Sequence, residues 1–173
     1  PPKNSIWRLE PTEDQAEMLS LMGGVTEAHF FEFSTTEPYT NTEILVERYD
    51  NGVLAEENLV KLHTVQDEPL PLTGKFGVTI SGNTWAIAMR DSCGGGYSHS
   101  NPEMTDYAGE AVGRMSAPLN GSAEVTAGRE VVLYARLYST TGVMRSYDVA
   151  GYSDNPALLE SYDHAYLVKF RLS

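Results

Sequence analysis

Cys93 is the residue of this chain whose possible chemistry is simplest to describe. It is the only cysteine, and three glycines follow it directly, so its thiol is expected to stand at a tight turn. A cysteine acts as a nucleophile when a histidine takes its proton and a carboxylate orients that histidine. A hydrolase centred on Cys93 is therefore one alternative function for this chain.

The segment Asp91–Gly95 resembles the nucleophile turn of chymotrypsin-like proteases, including viral enzymes in which a cysteine precedes two glycines. The resemblance implies that the histidine base and its carboxylate lie upstream, on a first barrel. Only His29 and His63 precede Cys93, and the 92 residues before it are too few for a complete first barrel and half of the second. We therefore predict no catalytic residue and expect Cys93 to be a small residue at the end of a strand.

The four histidines are isolated in the sequence, which argues against metal binding. None has a second ligand at zinc-binding spacing, and one cysteine cannot build a zinc cluster. Gly94–Gly96 is followed by Tyr-Ser-His rather than by a lysine and a helix, so it is not a phosphate-binding loop. His29 lies on an apolar strand face, where a hydrogen-bonded core imidazole is expected. The sequence predicts no metal site and no cofactor.

Cys93–Ser122 is predicted to be a long loop, interrupted only by a weak strand near Ala111–Met115. Ordered loops of this length are usually functional. Tyrosine among glycine, serine and asparagine is typical of adaptable contact surfaces. We therefore predict a binding surface formed by Tyr97, His99 and Tyr107. The alternative is that the loop wraps the edge of the sheet and blocks aggregation there.

The segment Lys75–Asp91 is predicted to be a β-hairpin with Gly82 and Asn83 as its two-residue loop. Apolar residues recur at every second position on both sides of that loop. The register pairs Ile80 with Trp85, Val78 with Ile87, and Phe76 with Met89 on the buried face. The opposite face carries Thr79, Ser81, Thr84, Ala86 and Arg90. A slip of one residue would turn the whole apolar set toward water, so the register is strongly specified.

Three further segments alternate in the same way and are predicted strands: Ala28–Ser34, Arg129–Tyr138 and Tyr166–Ser173. In the second of them the predicted outward side chains include Arg136 and Tyr138. In the last one they include Lys169.

Asn51-Gly52 predicts a second hairpin, which joins Glu43–Asp50 to Val53–Lys61. A two-residue loop there would place Glu47 opposite Glu56, and like charges directly opposite each other are destabilising. We therefore expect this hairpin to be short or bulged.

Two helices are predicted. Thr12 is the N-cap of the first, Gln15 completes a capping box, and Gly23-Gly24 ends the helix. Its apolar residues should form a stripe that covers the sheet as a lid: Ala16, Met18, Leu19 and Met22. The second helix follows the cap Asp154-Asn155, has Pro156 at its first position and lasts one or two turns.

These elements predict a mainly β fold. The most consistent architecture is an antiparallel β-sandwich, with residues 1–173 as a single domain. It has an N-terminal helix and one short helix before the last strand. A closed antiparallel barrel is the alternative. The strands lack the near-continuous apolar runs of a parallel sheet, which argues against a doubly wound fold.

The charge of the chain limits its partners. It has 24 acidic and 12 basic residues and a net charge of −12, which repels nucleic acid and anionic lipid surfaces. No stretch approaches the roughly 18 apolar residues of a membrane span. We expect no nucleic-acid partner and no membrane-spanning segment.

Segments distributed along the chain resemble uncharacterised extracellular lipoprotein domains of Gram-positive bacteria: Glu47–Leu54, Ala127–Ala135, Asp154–Leu159 and Tyr162–Val168. The resemblance implies that a lipid-modified cysteine and a flexible tether precede Pro1, and that the domain lies outside the membrane. The chain begins Pro1-Pro2-Lys3 without methionine, so we expect an upstream segment, such as a cleaved export signal, to have been removed. No catalytic residue follows from this resemblance.

We therefore expect a non-enzymatic, extracytoplasmic binding or interaction module, tethered at the cell surface, whose ligand is a protein or a glycan. The alternatives are the cysteine hydrolase and a structural or envelope-associated protein without a small ligand.

Overall fold

The computed structural model describes residues 3–142 and 148–173, most of which are in strands. The described strands are β1 (Ser5–Leu9), β2 (Glu27–Asp50), β3 (Val53–Ser81), β4 (Thr84–Asp91), β5 (Gly96–Asn101), β6 (Gly113–Pro118), β7 (Ser122–Glu124), β8 (Val131–Ser139) and β9 (His164–Leu172). The described helices are α1 (Glu13–Leu21), α2 (Gly151–Asp154) and a 3-10 helix (Pro156–Leu159). Every pairing between these strands is antiparallel. The predicted mainly β, antiparallel class is confirmed.

The nine described strands form one sheet that curls into a half-barrel. Its order is β5-β4-β3-β2-β9-β8-β6, and β1 pairs with β2 and β7 outside this path. β2 and β3 have 24 and 29 residues and run through both halves of the sheet. The choice between a sandwich and a closed barrel stays a prediction.

Bulges explain why β2 is one strand where the sequence predicts two. The pairing with β3 shifts between Ser34 and Pro38 and again between Tyr39 and Asn41. A bulge adds an unpaired residue and bends the strand without ending it. Pro38 therefore lies inside β2, opposite Pro71.

The predicted hairpin Lys75–Asp91 is confirmed in its register. β3 and β4 pair Phe76 with Met89, Val78 with Ile87 and Ile80 with Trp85. These six side chains are all buried. They line the concave face of the half-barrel, where Phe76 stacks against Phe170 of β9 at 5.8 Å between ring centroids.

Of the two alternatives predicted for the hairpin at Asn51-Gly52, short or bulged, the structure shows the bulged one. The pairing shifts between Val46 and Arg48, so that Arg48 rather than Glu47 stands opposite Glu56. The guanidinium of Arg48 lies 3.5 Å from the Glu56 carboxylate. The sheet thus replaces a repulsive pair by an attractive one.

Three side chains of β8 and β9 that were predicted to face outward are buried. Arg136 and Tyr138 are buried, because they lie on the concave face of the curled sheet, where Arg136 stacks on Trp85 and Tyr138 contacts Tyr166. Lys169 is buried on the convex face, where its amine lies 2.8 Å from Glu47 and 3.0 Å from Glu130. Charged and hydroxyl groups can be buried in this way when other polar groups lie next to them.

The convex face of β8 is covered by the short helices. All nine residues of β8 are buried. Tyr152 of α2 and Leu159 of the 3-10 helix belong to the same buried cluster, and the Val132 N–H donates to the Ser153 hydroxyl at 2.9 Å. β8 is therefore buried on both sides.

The first helix begins as predicted, but it does not act as a buried lid. The Thr12 hydroxyl accepts from the Gln15 N–H, and the Gln15 side chain accepts from the Thr12 N–H, so the capping box is confirmed. Every residue of α1 is at least partly exposed. Its methionines stand beside the sheet rather than in the core.

The second predicted helix is a 3-10 helix that begins at Pro156, and α2 precedes it. The Asn155 side chain makes no capping hydrogen bond to the part of the chain described. Among residues 3–142 and 148–173, no helix has the length and apolarity needed to cross a membrane.

The long loop predicted for Cys93–Ser122 is wrong. Residues 96–101 form the edge strand β5, and the weak strand near Ala111–Met115 is β6 at Gly113–Pro118. β5 escapes sequence analysis because it pairs with one neighbour only and is mostly exposed. An exposed edge strand needs no alternation of apolar side chains.

Candidate functional site

The three residues predicted to bind a ligand lie in different environments. Tyr97 and His99 both belong to β5, whereas Tyr107 follows β5 and packs against β8 and β9. The structure therefore does not bring Tyr107 together with the other two through any contact between described residues. Each is considered by its own neighbours below.

His99 connects the edge strand β5 to the first half of β3. Its Nδ1 accepts a hydrogen bond from the Lys61 N–H at 3.3 Å. Two residues further on, the Asn101 amide donates to the Leu59 carbonyl at 2.8 Å. These bonds occupy backbone groups that a free edge would expose, so His99 has a structural role here.

Tyr107 is half-buried in an aromatic cluster. Its ring stacks on His164 at 3.8 Å between centroids, and its edge meets Tyr138. His164 is in turn held by the Asp50 carboxylate, 2.7 Å from its Nδ1. These contacts leave Tyr107 little surface for a ligand, and we assign it to packing.

Tyr97 is the predicted residue that remains available for binding. It is 40% exposed, and its ring lies over the backbone of Gly95. A Cβ on Gly95 would come within 2.2 Å of the Tyr97 hydroxyl. The glycine thus leaves room for the ring, which lines a groove.

This groove, of about 1200 Å³, lies between α1 and the outward face of β3 and β4. Its floor is made of small side chains, with Gly77 paired to Ala88 and Thr79 paired to Ala86. Phe30 lies across Gly77, where a Cβ would approach its ring to 3.1 Å. Small residues at alternate positions therefore create the depth of the groove.

The helix side of the groove carries exposed apolar side chains. Met18 is 66% exposed and Met22 is 59% exposed, and both line the groove together with Leu19. Methionine is flexible and polarisable, which suits a surface that adapts to different apolar partners. The groove is thus an apolar surface that the fold itself leaves open.

A row of charged side chains crosses the floor near Tyr97. Glu32 of β2 pairs with Lys75 of β3, and Lys75 pairs with Arg90 of β4. The Lys75 amine lies 3.8 Å from the Glu32 carboxylate. Arg90 makes no ion pair with any residue in the described ranges.

Sequence analysis missed this groove, although part of the signal was available. The hairpin register already assigns Ala86 and Arg90 to the outward face. The position of α1 beside that face, however, depends on where the chain places the helix after β1. Met18 and Met22 were therefore assigned to a covering stripe rather than to an open wall.

Cys93 is exposed, and its N–H donates to the Asp91 carboxylate at 3.0 Å. Within the described residues, no imidazole bonds to its sulfur. His29 bonds to Glu27, and His63 bonds to the Asn41 side chain. A nucleophile needs a base within hydrogen-bond reach, and these two imidazoles are engaged elsewhere.

A second polar cluster surrounds Glu27 at the beginning of β2. Its carboxylate accepts hydrogen bonds from Arg136, from the Tyr134 hydroxyl at 3.0 Å and from His29 at 3.1 Å. Burial alone raises the pKa of the Glu27 carboxyl, but the hydrogen bonds of His29, Arg136 and Ser116 outweigh it and lower the pKa to about 2. Glu27 is therefore ionised at neutral pH.

The contacts of Glu27 determine how its neighbours Tyr134, Arg136 and His29 form hydrogen bonds. Burial, and then the charge of Glu27, raise the pKa of Tyr134, so its hydroxyl stays protonated and donates. The Arg136 guanidinium is buried and lies 5.2 Å from the centroid of the Trp85 ring. An imidazole facing an ionised carboxylate donates through that nitrogen, which leaves the buried His29 Nδ1 without a partner in the described chain. This cluster is a buried structural network.

No group of three or more His, Cys, Asp or Glu side chains within residues 3–142 and 148–173 is arranged to hold a metal ion. Comparisons of the chain with protein-family models, with curated proteins and with solved structures find no match. The groove beside α1 is thus the candidate functional site on the evidence of its geometry.

Proposed function

We propose that this chain is a non-enzymatic binding module and that the groove beside α1 binds an extended apolar segment of a protein partner. The observation that carries the proposal is the pair of exposed methionines, Met18 and Met22, above a floor of small residues. Exposed apolar surface of this kind marks interaction sites in soluble proteins.

The size of the groove favours a chain segment over a small molecule. Small-molecule pockets usually enclose about 300–1,000 Å³ and surround most of the ligand. This groove has about 1200 Å³ and lies open along its length. An extended peptide alternates its side chains, so that every second one would enter the groove.

The lining also favours a peptide over a glycan. Nine of the 25 residues that line the groove are methionine, leucine, phenylalanine or alanine, and these side chains offer no hydrogen bonds to sugar hydroxyls. Of the three aromatic residues in the lining, Phe30, Phe76 and Tyr97, only Tyr97 carries a hydroxyl. A protein segment with apolar side chains suits this surface better.

The location of the module is proposed from the lipoprotein resemblance. We infer that the domain, residues 1–173, lies outside the membrane and is tethered by a lipid anchor that precedes Pro1. A lone, exposed cysteine is compatible with this location. Biotinylation of intact cells by a reagent that cannot cross the membrane tests it, and labelling only after cell lysis would contradict it.

We also propose a sandwich rather than a closed barrel as the layering of the sheet. β5 and β6 end the strand order at opposite sides. Ring contacts join Phe33 and Phe76 in one half to Phe170 in the other, at 4.9 and 5.8 Å. Two facing halves with interdigitating side chains are typical of a sandwich core.

The competing hydrolase requires an imidazole base beside Cys93. The engagement of His29 and His63 elsewhere supports the binding module over the enzyme. The third alternative, a structural protein without a ligand, predicts no concave surface beside the tyrosines of this region. Tyr97 in the lining of the groove favours binding over that alternative as well.

The proposal is tested by titrating the labelled protein with a short peptide of alternating leucine and serine, blocked at both termini. We expect NMR shift changes in residues 14–22 and 75–90. Ala88→Gln fills the floor without entering the core and should abolish these changes. Met18→Gln should weaken binding.

Val65→Gln is a matched control, because Val65 is 65% exposed but lies outside the groove. It should bind as the unchanged protein does. Shift changes that persist in Ala88→Gln, or their absence in the unchanged protein, would contradict the proposed function.

A further inference from the structure

The floor of the groove contains two cations in direct opposition. Lys75 and Arg90 pair across β3 and β4 in an unbroken register, on the face that lines the groove. Side chains directly opposite in such a pair have Cβ atoms roughly 5 Å apart, and like charges there are destabilising. The arrangement therefore has a cost in the free protein.

The same sheet avoids a like-charge pair elsewhere. In the hairpin at Asn51-Gly52 a bulge prevents Glu47 from facing Glu56 and brings in Arg48 instead. No bulge separates Lys75 from Arg90, because their strands pair without a shift. One hairpin therefore separates its two like charges by a bulge, whereas the other keeps its two like charges directly opposite each other.

Four acidic side chains, those of Glu10, Asp14, Glu32 and Asp91, also line the groove. Among the described residues Glu32 forms an ion pair with Lys75 and Glu10 forms one with Arg8, and none of the four forms one with Arg90. Glu32, on the far side of Lys75, lies 3.8 Å from its amine. Beyond Arg90 the next residue across the sheet is Gly96 of β5, which has no side chain. Arg90 is exposed and has no ion-pair partner in the described part of the chain. Its guanidinium is free to bind a carboxylate from outside.

We propose that the segment bound in the groove carries an acidic side chain beside its apolar ones, and that Arg90 binds this carboxylate with Lys75 alongside. The inference rests on the proposed function, since it names the chemistry of the same ligand. A guanidinium offers a planar pair of donors that matches a carboxylate. Binding such a group would relieve the repulsion between the two cations.

Three blocked peptides of alternating leucine and serine test the inference, with glutamate, glutamine or lysine at the central position. The glutamate peptide should bind about fivefold more tightly than the glutamine peptide, the size expected of an exposed charge pair. The lysine peptide should bind least tightly. High salt should reduce the preference for glutamate.

Arg90→Gln should remove the preference for the glutamate peptide over the glutamine peptide. Arg129→Gln is the control, because it changes the net charge equally and Arg129 lies outside the groove, paired with Asp154. Arg90→Gln should also raise the midpoint of urea unfolding, since it removes the repulsion with Lys75.

Equal affinity for the glutamate and glutamine peptides would overturn the inference and leave the proposed function intact. A preference for glutamate that survives Arg90→Gln would overturn it as well. If none of the three peptides binds, the proposed function fails together with it.

Discussion

Replacing Glu27 with glutamine should reduce stability by an amount that depends on pH. The pKa of Glu27 is about 2 in the folded protein, against 4.5 for an unperturbed carboxyl. Because the folded pKa is the lower one, ionisation favours folding. This contribution is complete above the unfolded pKa and is lost as the pH falls from there toward the folded pKa.

The magnitude follows from the two pKa values. The shift from 4.5 to about 2 corresponds to about 3 kcal/mol of unfolding free energy at pH 7. The same linkage leaves about 1.4 kcal/mol at pH 3, where Glu27 is mostly protonated in the unfolded chain and still mostly ionised in the folded protein. Glu27→Gln represents the protonated form, so its difference from the unchanged protein should narrow from the first value to the second.

Urea unfolding of both proteins at the two pH values measures this difference. Other carboxyls with lowered pKa values, such as Glu43 and Asp106, titrate in both proteins and cancel. Glu68→Gln serves as a control, because exposed Glu68 forms no ion pair with the described residues; it should show no difference at either pH. A loss in Glu27→Gln that is the same at pH 3 and pH 7 would refute the reasoning.

Three further substitutions probe other parts of the fold. Lys169→Ala should lower the unfolding free energy by about 3–5 kcal/mol in urea unfolding, because it leaves Glu47 buried without the amine now 2.8 Å away. Gly95→Ala should displace the Tyr97 ring, which a Cβ would meet at 2.2 Å; a changed Tyr97 NMR signal and weaker binding of the leucine peptide report it. Thr12→Ala should speed amide exchange in α1 about fivefold, the effect of losing an N-cap, with little change in global stability because the helix is exposed.

Each of these substitutions has a matched control. The double change of Glu47→Leu with Lys169→Met should recover most of the stability, since it removes both charges. Gly96→Ala should leave Tyr97 in place, because a Cβ there meets no described atom within 4 Å. Thr12→Ser keeps the capping hydroxyl. A control that behaves like its test variant would contradict the corresponding explanation.

The part of the candidate site that could be predicted is the outward face of the β3–β4 hairpin. The two-residue loop and the alternation of apolar residues determine its register, and hence the pairing of Ala86 with Thr79 and the exposure of Arg90. The wall of the groove could not be predicted in the same way. Met18 and Met22 have the spacing of a buried stripe, and only the position of α1 beside the sheet leaves them exposed.

The edge strand and the aromatic cluster show the same limit. Tyr97, His99 and Tyr107 lie in a segment whose composition is typical of contact surfaces. Tyr97 and His99 pair with β4, however, whereas Tyr107 stacks on His164. His99 then bonds to a backbone group 38 residues away in the chain. No local pattern contains a contact of that kind.

The sequence by itself determined the features that depend on neighbours along the chain: the register of the β3–β4 hairpin, the Thr12 capping box and the separation of Glu47 from Glu56. Turn geometry, helix capping and the charges of opposite residues in a hairpin depend on residues that are close in the chain, so the local sequence is enough to predict them. The tertiary structure alone decided that both faces of β8 are buried and that the face of the sheet beside α1 stays open. Those outcomes depend on which distant element packs on each face. The alternation of apolar residues predicts which side chains share a face of a strand, but it does not predict whether another element covers that face.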